Sequence, residues 1–371
     1  MRICVAYDCL YPWTVGGQER YLRELSIGLA RAGHDVTFAT RTQWDSSDDP
    51  SFDGVRVVGV CPYEALYDEQ GRRTTSEPLR YARGLAGHLL RHSYDHIHTC
   101  AFPYFSLLAA RAVAPNTPMT VDWPEVWSRE YWDEYLGKAK GGFANAIQAA
   151  CARVTPRAFT ISALHGERLR DAGFRGELTQ LAGLYSGPLE PQPVREPEPL
   201  VVFAGRLIAE KRATVVPEVV ALARDRIPGL RGLILGDGPE RGAVDASLNE
   251  WTDASGFVSG DELNERMATA AVLLAPSSRE GYGMIVVEAS ALGTPSVVVP
   301  GPDNAAVEQV DNGENGYIAR SDDARDIADA VVEAVNGGMA LRQRTAAWFA
   351  REAPRRRLDA SIQTMLQEIG S

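Results

Sequence analysis

Strand-like and helix-like runs alternate along almost the whole chain, and that alternation restricts it to parallel sheets with crossover helices. The first unit is the clearest. An apolar run from Ile3 to Tyr7 is followed by a loop to Gly17, a helical stretch from Gln18 to Arg31, a Gly33-His34 turn and a second run from Val36 to Thr40. Further strands are expected at Val55 to Val60, Asp95 to His98 and Met119 to Asp122, with a helix over Leu79 to Arg91. The rhythm stops between 186 and 199, where five prolines and little that can pack mark a semi-rigid linker. It then resumes with runs at Leu200 to Gly205, Gly232 to Gly236, Gly256 to Val258, Val272 to Pro276 and Pro295 to Val299. At 371 residues, 45% hydrophobic and 23% charged, the chain has the length and composition of two ordinary globular domains. The expected architecture is α/β, with two doubly wound, Rossmann-like domains.

Two motifs in the second half carry chemistry. Glu280-Gly281-Tyr282-Gly283-Met284-Ile285-Val286-Val287-Glu288 runs from a strand end into a helix and sets two carboxylates eight positions apart. A helix start offers unpaired amides and the positive end of the helix dipole, so it favours phosphate; flanking carboxylates favour hydroxyls. Together these describe a nucleotide sugar. Upstream, Gly205-Arg206-Leu207-Ile208-Ala209-Glu210-Lys211 follows a strand and places Arg206 and Lys211 at its carboxyl end, where open α/β sheets bind ligands. Only three of the 38 basic residues are lysine, at 138, 140 and 211, so lysine at 211 reads as a compact ammonium in a chain that otherwise favours arginine.

Gly205-Arg206 with Lys211, Glu280 with Glu288, and the Gly16-Gly17 loop after the first strand together resemble the retaining glycosyltransferases of family four, from Met1 to about Asn336. The resemblance implies the GT-B fold, in which two Rossmann-like domains face each other across a cleft. Residues 1–187 would form the acceptor-side domain and 188–349 the nucleotide-sugar domain, and a helix over about 350–371 would cross back to the first, with Trp348 and Phe349 near the crossing. By the same resemblance Arg206 and Lys211 stabilise the leaving diphosphate, Glu280 meets hydroxyls of the donor sugar, and Glu288 holds the ribose. Amides near Gly283, Met284 and Ile285 complete the cradle, the base lies near Phe257 and Val258, and bare backbone at Gly16-Gly17 approaches phosphate or the transferred sugar. Arg206, Lys211 and Glu280 are the expected catalytic residues. On the acceptor side the resemblance points to His98 and to the strand end at Asp122, Trp123, Pro124 and Glu125. In one register Pro124 stands where relatives often carry histidine, and a proline can neither take a proton nor donate a hydrogen bond; a shift of two puts Asp122 there instead.

The remaining expectations are mostly exclusions. A net charge of −11 argues against nucleic acid as a main partner. Five scattered cysteines, never spaced as C-x-x-C, indicate neither a disulfide framework nor a zinc site, and the chain opens directly into a strand, which gives a cytoplasmic expectation. No metal and no tightly held cofactor are expected, because the two cations supply the charge that a diphosphate needs; the nucleotide sugar, of UDP or GDP type, is a co-substrate. A dehydrogenase reading fails at Gly236-Asp237-Gly238-Pro239, which lacks the third glycine of a dinucleotide fingerprint. Trp127, Tyr131 and Tyr135 form a helical aromatic stripe, read as core packing ahead of acceptor recognition. Arg72, Arg73, Arg80 and Arg83 read as a solvated face ahead of a membrane-binding one. The preferred acceptor is a small polar metabolite or natural-product precursor. Alternatives are a lipid-linked or thiol acceptor, or an auxiliary protein that binds nucleotide sugars without turning them over.

Overall fold

The computed structural model describes every residue except 15, 46, 65–73, 75, 182, 189–191 and 371, so Arg72 and Arg73 lie outside the described residues. The chain divides into two compact units, Met1–Ala182 with Leu358–Ser371, and Gly183–Arg357.

In the first unit the described strands are β1 (Arg2–Ala6), β2 (Asp35–Arg41), β3 (Val55–Cys61), β4 (His96–Cys100), β5 (Met119–Asp122), β6 (Arg157–Thr160) and β7 (Glu177–Gln180). They form one sheet in the order β3-β2-β1-β4-β5-β6-β7, each neighbouring pair parallel. The central strands are buried along nearly their whole length, as a sheet covered on both faces requires. Its helices are α1 (Gly17–Arg31), α2 (Ser76–Arg91), α3 (Tyr104–Val113), α4 (Arg129–Leu136), α5 (Lys138–Val154) and α6 (Ala163–Asp171). The strand order reverses between β1 and β4, and ligands of such sheets collect beyond the carboxyl ends that flank this switch point.

The second unit repeats the plan. Strands β8 (Glu198–Ala204), β9 (Arg231–Leu235), β10 (Thr252–Gly256), β11 (Ala270–Ala275), β12 (Arg279–Glu280), β13 (Ser296–Val298), β14 (Asp303–Asn304) and β15 (Gly316–Ile318) alternate with helices α7 (Val216–Arg224), α8 (Arg241–Ser247), α9 (Gly260–Thr269), α10 (Met284–Ala291) and α11 (Ala324–Arg356). The main sheet runs β10-β9-β8-β11-β13-β15, with its switch point between β8 and β11, and β12 pairs in parallel with β14 alone. The loops after β8 and β11, which hold the two sequence motifs, therefore emerge side by side. Gly236 keeps the neighbouring loop close: at φ +145° its missing Cβ would sit 1.8 Å from the Gly205 carbonyl.

Three expectations shift. The strand expected at Gly256 to Val258 instead ends at Gly256, whose φ of +74° turns the chain and leaves Phe257 85% exposed. The single closing helix is two. α11 is itself broken at Gly338 (φ +48°, ψ −144°), and α12 (Leu358–Gly370) belongs to the first unit. There the α12 side chain Ile362 packs over Gly28 of α1, where an added Cβ would come within 2.8 Å of it. Trp348 and Phe349 sit in the core of the second unit, and the Trp348 indole donates to Asp311 at 2.6 Å. Finally, the linker is shorter than expected, because β8 begins at Glu198.

Candidate functional site

Beyond β8 the chain passes an exposed Arg206, anchors itself with fully buried Leu207, and makes one tight turn over Ala209–Lys211. Beyond β11 it passes Ser277 and Ser278 and enters β12. The two segments clasp each other. The Lys211 ammonium donates to Glu280 Oε1, which also accepts from Ser277 Oγ at 3.2 Å. The Arg279 guanidinium donates to Glu210 Oε1 at 3.2 Å, and the Ser278 amide donates to the Glu210 carbonyl at 2.9 Å. Adjacent residues 210 and 211 thus form crossed ion pairs with adjacent residues 279 and 280. The side chains of Lys211 and Glu280 are 25% and 15% exposed, so the pair is partly shielded yet reachable. Shielding strengthens such a pair over its surface counterpart and fixes the ammonium in one place.

Gly283 sets the start of α10. Its φ of +89° lies in the left-handed region, and a Cβ there would stand 2.7 Å from that of Ala306, so only glycine fits both the torsion and the space. The first-turn amides of a helix have no partner within it, so Gly283, Met284 and Ile285 present donors and the positive dipole end just beyond Glu280. Glu288 lies half-buried one turn into the helix. Burial first, and then the Glu288 charge, push the Tyr185 phenol up to about 12, which puts Tyr185 in the electrostatic reach of that carboxylate. Tyr185 donates to the Pro188 carbonyl at 3.0 Å. Val258 is half-buried against the core beside the exposed Phe257. Among the described residues no three His, Cys, Asp or Glu side chains gather as a metal-ligating group.

In the first unit, Gly16 caps α1 in extended conformation, and a Cβ on it would fall 2.2 Å from the Glu19 carboxylate. Burial, then Glu19 and Asp8, push the Tyr7 phenol well up. Asp8 and Glu19 thus stand within electrostatic reach of Tyr7 beside this loop. His98 is fully buried: its Nε2 meets Asp122 Oδ2 at 3.0 Å and its Nδ1 meets Thr120 Oγ1 at 2.9 Å, as the parallel β4–β5 register arranges. Asp122 is 4% and Trp123 0% exposed. The expected acceptor contacts His98, Asp122 and Trp123 are interior groups in this structure: the Tyr21 hydroxyl donates to Asp122 Oδ1 at 3.4 Å, and the Phe159 and Tyr104 rings lie 6.4 and 6.1 Å from those of His98 and Trp123. Glu125 is half-buried and accepts from the Trp127 indole at 2.8 Å. Trp127 in turn packs on Tyr131, Trp132 and Tyr135 at ring separations of 4.8, 4.4 and 5.5 Å, so the aromatic stripe is a packed cluster. Buried Gln148 ties this cluster together, bonding Tyr104, the Trp127 amide and the Trp127 carbonyl.

Sequence reasoning named Lys211 and Glu280 but missed Glu210 and Arg279. The available signal was their mirrored adjacency, an acid before the lysine and a base before the glutamate.

Residues 198–336 match the model described as glycosyl transferases group 1, and residues 16–182 match the glycosyl transferase 4-like domain. The chain belongs to the group 1 glycosyltransferases. It is similar to a glycogen synthase of Mycobacterium tuberculosis, 25% identical over 375 residues that cover 94% of this chain and 89% of that one. Among solved structures it resembles the sucrose-phosphate synthase of Thermosynechococcus elongatus (TM-score 0.76, 18% identity, 99% of this chain and 97% of that one). It also resembles Anabaena Alr3699/HepE, solved with UDP and glucose (TM-score 0.72, 15% identity, 100% of both chains). The fold is GT-B, and the protein is a glycosyltransferase of the nucleotide-sugar-using kind.

Proposed function

We propose that this protein is a metal-independent retaining transferase that moves a sugar from a UDP- or GDP-type donor to a small polar or natural-product acceptor. The second unit is the donor half and the first the acceptor half. Arg206 and Lys211 take the diphosphate, first-turn amides at Gly283, Met284 and Ile285 add dipolar donors, Glu288 holds the ribose, and Val258 lies against the base. Glu280 accepts from hydroxyls of the sugar, and Gly16 and Gly17 let the sugar approach bare backbone.

The observation that carries this reading is the Lys211–Glu280 pair standing before the glycine-started helix α10. It puts a positive group, a hydroxyl acceptor and a dipolar cradle within one short segment of sheet edge, in the order phosphate and sugar would need. As the anomeric bond breaks, negative charge grows on the leaving phosphate. The Lys211 ammonium, held by Glu280, and the Arg206 guanidinium stabilise that charge more than the ground state, which is the condition for rate acceleration. The departing phosphate oxygen can then take the acceptor's proton on the same face of the sugar, giving retention without a protein base. This chemistry asks nothing of His98 or Asp122, in keeping with their burial. Among the described residues no helix is long and apolar enough to cross a membrane, and the reading places the reaction in the cytoplasm.

The test is to assay purified protein with UDP- and GDP-sugars, read the anomeric configuration of the product by NMR, and repeat with a chelator present. Retention with full activity in chelator is expected. Inversion, or a loss reversed by Mg²⁺ or Mn²⁺, would overturn the mechanism.

A further inference from the structure

Lys211 is followed by a residue in an unusual backbone state. Among the described residues only two that are not glycine have a positive φ, Asp53 at +44° and Arg212 at +52°. Aspartate tolerates the left-handed region because its short side chain bonds locally; arginine has no such help, and its Cβ crowds the following carbonyl. The Arg212 side chain is anchored far along the chain instead. Its Nη2 donates to the Asp322 carbonyl at 2.8 Å, and its Nη1 lies 3.3 Å from Asp322 Oδ2. The Asp322 carboxylate is 61% exposed, so the ion pair adds little and the carbonyl is the anchor. That carbonyl is itself well held: the next amide, of Asp323, donates to Ser321 Oγ at 3.2 Å, and Ser321 Oγ donates to Asp326 Oδ2 in the first turn of α11 at 2.7 Å. Arg212 also separates two tight single turns, Ala209–Lys211 and Ala213–Val215. The second is seated in the core through Ala213 and Val216, 3% and 0% exposed, while the first carries Lys211 and is clasped by Ser278, Arg279 and Glu280. The torsions at Arg212 set the angle between the two turns, and so the direction in which Lys211 leaves the backbone.

We infer that Arg212 is a positioning residue for the transfer reaction: held in the left-handed region by its bond to Asp322, it keeps the Lys211 ammonium where the donor's diphosphate arrives. The inference rests on the proposed role of Lys211 and adds a residue that acts through it, since the Arg212 fork is committed to Asp322. Glycine at 212 would permit the same reversal without strain, but it would permit other torsions as well. An arginine tethered at its far end allows one. A strained residue kept beside a functional group, where glycine would fit more easily, is the pattern expected when backbone geometry serves the neighbour. Fixing Lys211 beforehand removes conformations that donor binding would otherwise have to select against, which raises affinity with no new contact to the donor.

Calorimetric titration of UDP and GDP into the full chain, with urea unfolding of the same proteins, tests this. Arg212→Gly removes strain and tether together, so its unfolding midpoint should equal or exceed that of the wild type. Its affinity for the nucleotide that the wild type prefers should nevertheless fall about three- to tenfold. Arg212→Ala keeps the strain and loses the tether, so its affinity should fall as far and its midpoint should drop too. In a Lys211→Ala background Arg212→Gly should change affinity no further, because nothing is left for it to position. Wild-type affinity in Arg212→Gly, a midpoint that falls with affinity in that variant, or a full further loss in the Lys211→Ala background would overturn the inference and leave the donor reading standing. A wild-type chain that binds neither nucleotide, or unchanged affinity in Lys211→Ala alone, would overturn the donor reading and the inference with it.

Discussion

Breaking the crossed clasp at Arg279 should loosen Lys211 without touching it. The Arg279–Glu210 pair has an N···O distance of 3.2 Å, and its side chains are only 15% and 22% exposed. At an effective dielectric constant of about 20, Coulomb attraction at that separation is roughly 5 kcal/mol before desolvation is subtracted. Desolvation returns part of this, and a charge-assisted hydrogen bond of this kind nets about 1.5–3 kcal/mol. Arg279→Gln and Glu210→Gln should therefore each cost about 2 kcal/mol. The double variant should cost little more than either single one, a coupling of at least about 1.5 kcal/mol. Urea unfolding reads this as a fall in midpoint at constant slope. Because the clasp holds the turn that carries Lys211, either single variant should also weaken nucleoside diphosphate binding several-fold. A coupling under about 0.5 kcal/mol, the value of an exposed surface pair, would refute the reasoning. So would unaltered diphosphate affinity in both single variants.

Gly283→Ala must pay for a left-handed backbone and for a Cβ 2.7 Å from Ala306, about 2–4 kcal/mol together, and should weaken nucleotide binding with stability; a full-strength variant in urea melts would contradict the space argument. Arg342 is 1% exposed and donates to the Ala268 and Ala270 carbonyls at the end of α9, while burial drives its guanidinium down to about 10. Arg342→Met should strand both carbonyls and cost about 3 kcal/mol or more by denaturant midpoint. His96 is held down to about 3, mainly by burial and then by His98 and Arg157. Between about pH 6.5 and 3 the unfolded chain binds a proton that the folded one refuses, so this contribution is complete above pH 6.5 and fades as pH falls, by up to about 1.4 kcal/mol per unit. His96→Gln should flatten the melting temperature profile between pH 6.5 and 4.5, and an unchanged slope would count against it.

The doubly wound plan was readable because its strands are short apolar runs that keep to period and are punctuated by glycine. The motif cations and carboxylates were readable because each sits at a strand end or helix start, positions that sequence marks. What escaped were contacts made between segments distant in the chain. Nothing local in Asp122 or His98 reveals that they are buried beside Tyr21 and Phe159, and nothing in Arg279 reveals that it reaches back 69 positions to Glu210. Strand β10 was misplaced because Phe257 and Val258 look apolar while Gly256 turns the backbone before them.

Isothermal titration of UDP and GDP into the wild-type chain and into a variant carrying both Arg206→Ala and Lys211→Ala addresses the grip on pyrophosphate most directly. Two lost charge-assisted contacts predict at least about a hundredfold weaker binding for the nucleotide that the wild type prefers. Equal affinity in the two proteins would contradict the account.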